Sequence, residues 1–175
     1  MSLNIPESLL QLEANGGVFA LWLIVKQYHT HVDIADLIRL SGHDQEDGTY
    51  TIALAVAMKK LGFAVSFYTA PDPNIEAKEQ QSYLEAQNLQ IPIQAALTYS
   101  EIQRAFEQGN FVIVFYDTLQ GTGNQSLVYS IDPQEISFCD HFDVMSKAVF
   151  EQQRQADGIC QQVIVIEQPL EHYPI

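Results

Sequence analysis

A thiol, a carboxylate and an imidazole stand side by side at Cys139, Asp140 and His141. If the strand leading into them continues, alternation sets Cys139 and His141 on one face, where they could act as nucleophile and base. Adjacent side chains rarely reach a productive geometry, and no oxyanion donor accompanies these two. The competing reading is a buried strand cysteine beside an exposed turn histidine. His29, His31 and Asp33 alternate in a short segment, with His43 and Asp44 further on, and all are types that ligate metals. Their spacing matches no recurring site, so they read as a solvated loop before a helix cap, and no metal is expected. Gly121-Thr122-Gly123-Asn124 opens no helix, which suits a flexible loop better than a phosphate cradle. The acidic run Asp44 to Asp47 lacks the calcium-loop pattern. No cofactor is expected.

The elements around these residues follow from periodicity and punctuation. Val18 to Val25 is apolar on every face, so a helix there, about residues 17–28, must be surrounded by protein. Asn15, just before Gly16-Gly17, is placed to cap it. Asp33 and Gly42 bracket a second helix, and a third runs from Thr49 to Gly62. Phe63 to Tyr68 alternates as a strand and ends at Pro71-Asp72-Pro73. Asn74 to Gln90 is polar and rich in Glu and Gln, an exposed helix. Thr98-Tyr99-Ser100-Glu101 is a capping box opening a helix that Gly109 closes. Strands follow at Phe111 to Tyr116, Gln125 to Ile131, Glu135 to Cys139 and Val163 to Ile166, with a helix at about residues 143–155 before the last. The expected class is α+β: N-terminal helices, the apolar one central, packed on a C-terminal antiparallel sheet. No linker or repeat divides residues 1–175, which read as a single domain.

Composition narrows the function. The chain has 175 residues, 47% of them apolar, enough for a sizeable core. Its 22 acidic residues against 8 Lys and Arg give a formal charge of −14. The few basic residues form no stripe, which argues against nucleic acid and anionic membrane as partners. The apolar run is far too short to span a bilayer, and the amino terminus lacks a basic run before an apolar stretch, so a cytoplasmic protein is expected. Cys139 and Cys160 then read as unpaired thiols.

The order of the pieces carries more than any one of them. A helix follows Asn15-Gly16; Asp47-Gly48-Thr49 leads to a helix ending in Leu61-Gly62-Phe63; a helix from Ile102 to Gly109 leads into Phe111-Val112-Ile113-Val114; and a hairpin from Gln125 to Cys139 ends in Asp140. This succession resembles the bacteriocin-processing, double-glycine-leader cysteine peptidases of the papain-like fold, over roughly residues 11–166. The resemblance implies a nucleophilic Cys at Asn15, a catalytic His at Gln125 or its neighbour Asn124, and an orienting Asp at Asp140. Of these only the Asp is present. The family's oxyanion Gln falls on Leu9, with Gln11 as the nearest candidate for that role.

These replacements remove the chemistry. A cysteine peptidase needs a thiolate held by a helix N-terminus and an imidazolium that returns its proton to the leaving amine. A carboxamide offers hydrogen bonds but neither attacks nor titrates near neutral pH. The reading this supports is a pseudoenzyme that binds a peptide or protein in a vestigial groove marked by Asn15, Gln125 and Asp140. Two others stand beside it: a hydrolase using Cys139 and His141, and a structural subunit whose groove is filled by its own side chains. Tyr50, Tyr99 and Tyr116 are candidates to line a groove, or equally core residues. Residues 74–94 resemble the family least and could carry partner choice. Inside so acidic a molecule, the ligand expected is basic.

Overall fold

A computed structural model of the chain describes residues 4–28, 32–141 and 143–168. A short helix α1 (Glu7–Leu10) leads to α2 (Gly16–Gln27), α3 (Ile34–Ser41) and α4 (Thr51–Lys60). Then come β1 (Ala64–Thr69), α5 (Ala77–Asn88), β2 (Ile93–Ala95) and α6 (Tyr99–Glu107). The rest is β3 (Phe111–Asp117), β4 (Gly123–Ile131), β5 (Glu135–Phe138), β6 (Met145–Ser146), α7 (Lys147–Arg154) and β7 (Val163–Glu167). The strands form one seven-stranded sheet in the order β2-β1-β7-β3-β4-β5-β6.

The sheet is buried on both faces at its centre, and the alternation of β3 and β7 says how. Ile113, Ile164 and Ile166 face a core shared with α2, α3 and α4. Val112, Val114, Tyr116, Val163 and Val165 face the opposite way, onto Ile102 of α6 and Phe150 of α7. Strands covered on both sides carry near-continuous apolar runs, which is what Phe111-Val112-Ile113-Val114 and Val163-Ile164-Val165-Ile166 are. Helix α2 buries Val18 and every residue from Ala20 to Val25, as a helix apolar all round must.

The mixed α+β class is as expected, and two details differ. The pair β1–β2 is parallel, whereas the other pairings are antiparallel, because α5 carries the chain back over the sheet as a crossover. Second, the chain after β5 makes the brief strand β6 before α7 begins, so the last helix starts later than the expected residue 143. The capping box at Thr98 is complete: Glu101 N donates to Thr98 Oγ1 at 3.2 Å and Thr98 N to Glu101 Oε2 at 2.7 Å. No helix among the described residues is long and apolar enough to cross a membrane.

Candidate functional site

An open groove of about 1110 Å³ runs past the start of α2 and the first residues of β4. Three connecting segments supply most of its walls, with Thr118 and Thr122 of the β3–β4 turn beside them: the turn 46–50 before α4, the turn 70–76 with Glu79 of α5, and the turn 155–162 between α7 and β7. Asn15, Gly16, Asn124 and Gln125 lie along its floor.

The chain enters α2 through Ala14, whose left-handed backbone (φ 47°) turns it sharply toward the groove. Asn15 occupies the N-cap position but does not cap: its Nδ2 donates back to the carbonyl of Leu9 at 3.0 Å. This corrects the expected cap. The free N–H groups of the first turn therefore receive nothing from the Asn15 side chain. Gly16 is required by close approach, since a Cβ there would lie 2.2 Å from Asn124 Oδ1 and 2.8 Å from the Gln125 carbonyl.

Alternation along β4 separates the two neighbouring carboxamides. Gln125 turns toward the helices, where its Nε2 donates to the Thr49 carbonyl at 2.7 Å and to Thr51 Oγ1 at 3.3 Å, and it is buried. Asn124 turns the other way. Its Nδ2 lies 3.1 Å from Asp140 Oδ2, 2.9 Å from Ser126 Oγ and 3.2 Å from Tyr116 Oη. Ser126 Oγ also donates to Asp140 Oδ2 at 2.9 Å, and Tyr116 Oη meets Ser126 Oγ at 3.0 Å. So Asn124, and not Gln125, is brought to Asp140. Nothing in the residue types anticipated Tyr116 and Ser126 in this network; only the register of β3 on β4, which sets Tyr116 opposite Asn124, does.

The Cys139–His141 pair is not a dyad. Strand β5 ends at Phe138 and the chain bends at Cys139 and Asp140, so the alternation that would align the two residues stops short of them. Cys139 packs against the helix-side core, while His141 Nε2 bonds Tyr116 Oη at 2.9 Å and its ring lies 5.2 Å from Phe138. Burial, with Asp140 adding to it, pushes the Cys139 thiol up to about 11, the opposite of what a nucleophile needs. Cys160, pushed to about 11 by burial and by Asp72, is likewise a free thiol, at the groove wall.

Gln11 is placed away from the groove. It ends α1, exposed, with its Nε2 on Glu7 Oε1 at 2.9 Å, so the oxyanion role proposed for it has no geometric support. His29 and His31 lie outside the described residues. His43 Nδ1 meets Thr49 Oγ1 at 2.8 Å, and Asp44 accepts from the backbone of Glu46 and Asp47 within its own turn. Of the three tyrosines, Tyr99 and Tyr116 are core and Tyr50 lines the groove. Glu79 and the turn 155–162 were not singled out by the sequence, because only long-range packing brings them to the groove.

No family model and no curated protein sequence matches the chain. Among solved structures, it is similar to the peptidase domain of Streptococcus ComA, described as a bi-functional ABC transporter involved in a quorum-sensing pathway. The two are 19% identical with a TM-score of 0.51, over 87% of this chain and 91% of that one. At that identity the likeness is one of fold. The chain has the mixed α+β fold of a papain-like peptidase domain.

Proposed function

We propose that the chain is a catalytically silent member of the bacteriocin-processing peptidase-like group, one that holds a peptide or protein segment in the groove without cutting it. The observation that carries this reading is the contact of Asn124 with Asp140 at the mouth of α2. The resemblance puts the nucleophile at Asn15 and the imidazole at Asn124 or Gln125; the geometry favours Asn124, since it meets the carboxylate that would orient an imidazole. A carboxamide in each place leaves no group to attack a carbonyl and none to shuttle a proton. What remains suits binding. The first turn of a twelve-residue helix offers N–H groups that Asn15 does not cap, and Asn15 and Asn124 can each donate and accept toward a peptide backbone.

The test is restoration. Wild-type protein incubated with a diverse peptide library is expected to release no fragments. Asn15→Cys with Asn124→His is expected to gain labelling by a peptide-like electrophile at the new thiol. Cleavage by the unmodified chain would overturn the reading, and the labelled residue would then identify the true nucleophile.

A further inference from the structure

The charged side chains described along the groove are all of one sign. Glu46, Asp47, Asp72, Glu76, Glu79 and Asp157 face it from all three walls, and among the described residues no Lys, Arg or His lines it. Lys78, which sits in the same region of sequence, is turned to Asp44 at 3.5 Å and does not line the groove.

Glu79 adds an observation independent of the surface carboxylates. Only 7% of it is exposed, yet it lines the groove, and among the described residues no Lys, Arg or His is paired with it. Burial raises its pKa and the repulsion of Asp72 adds to this, while hydrogen bonds from the Gln162 side chain and the Glu76 backbone oppose both. These hydrogen bonds satisfy the carboxyl but supply no counter-charge, so a cationic group reaching it from the groove would be rewarded. Among the described residues no three His, Cys, Asp or Glu converge closely enough to hold a metal. The carboxylates are instead spread over walls contributed by three separate segments, which matches positive charges distributed along an extended chain.

We infer that the groove selects a basic peptide, with several Lys or Arg side chains set against the walls and one of them reaching Glu79. This rests on the peptide-binding reading above and names its ligand class. The spread acidic field raises the local concentration of such a ligand and speeds its encounter, while the buried carboxyl rewards a donor that fits.

The experiment is a selection from a randomised peptide display library, followed by binding kinetics with an enriched peptide. Enriched sequences are expected to be net positive. Reversing two groove carboxylates, Glu46→Lys with Asp157→Lys, is expected to slow association roughly tenfold, whereas Glu107→Lys with Glu135→Lys, which changes the net charge equally on other surfaces, leaves it near wild type. Glu79→Gln is expected to speed dissociation. Enrichment of neutral or acidic peptides, or equal losses from the two charge reversals, would overturn the charge selectivity and leave the peptide groove standing. Failure to enrich any peptide would overturn both. Spermine binding as tightly as the enriched peptide would overturn the assignment of a peptide.

Discussion

Asn124 Nδ2 stands 3.1 Å from Asp140 Oδ2, and the same carboxylate oxygen accepts from Ser126 Oγ at 2.9 Å. The Asp140 carboxylate thus orients an amide, and the hydroxyl of Tyr116 closes the network onto His141. The network fixes the Asn124 amide at the groove, and an amide held there offers hydrogen bonds but does not titrate near neutral pH.

Gln125 ties β4 to the turn before α4. Its amide satisfies the buried carbonyl of Thr49 at 2.7 Å, and no other contact described for that carbonyl replaces it. Gln125→Ala is expected to cost about 2 kcal/mol, the range for stranding a buried polar group and opening a small void. Urea unfolding measures it; a loss no larger than that of Asn124→Ala would contradict the assignment.

Gly16 admits no side chain. In Gly16→Ala the new Cβ would collide with Asn124 Oδ1 at 2.2 Å and with the Gln125 carbonyl at 2.8 Å. The amide can swing away but the backbone of β4 cannot, so we expect about 1–3 kcal/mol of destabilisation. Adding Asn124→Ala should recover only part of it. Full recovery in a thermal melt would show that the backbone approach is looser than described.

The two thiols resist alkylation at ordinary pH. With both pushed from 9.0 to about 11, the thiolate fraction at about pH 8 is on the order of 0.1%. Iodoacetamide labelling of the folded protein should be slow there and rise steeply toward about pH 11. The linkage has a definite sign. Each thiol keeps its proton in the folded chain where the unfolded chain has lost it, so its contribution is fully present below 9.0 and is lost as pH rises through about 11. Cys139→Ala with Cys160→Ala should flatten the fall in stability over that window.

Arg154 holds the third wall. It is 1% exposed, with Nη1 on Glu151 Oε1 at 3.2 Å and Nη2 on the carbonyl of Gln161, also at 3.2 Å. Cys160 and Gln161 sit in left-handed backbone, φ 53° and 50°, a conformation that persists only when its surroundings impose it. Arg154→Ala is expected to destabilise by about 2–3 kcal/mol, from the void it opens and the Gln161 carbonyl it leaves unpaired. Arg154→Lys, which preserves the charge, should fold and raise hydrogen exchange across 155–162 more than across β3. Uniform exchange in that variant would mean the turn is held by other contacts.

Much of the architecture is written in local pattern. An eight-residue run apolar on all faces has nowhere to lie but between other layers, and Thr98 with Glu101 closes a helix end through contacts three residues apart. Residue type alone also decides that Asn15 and Asn124 cannot attack or titrate. Tertiary structure decided three further matters. Which of Asn124 and Gln125 meets Asp140 depends on the phase of β4, and two adjacent polar amides leave that phase unmarked until Leu127 is seated against α2 and α4. Whether Cys139 and His141 share a face depends on where β5 stops, which pairing with β4 fixes. The acidic groove itself gathers residues from 46 to 157, and a surface assembled from such distant segments exists only once the long-range contacts that close those loops have formed.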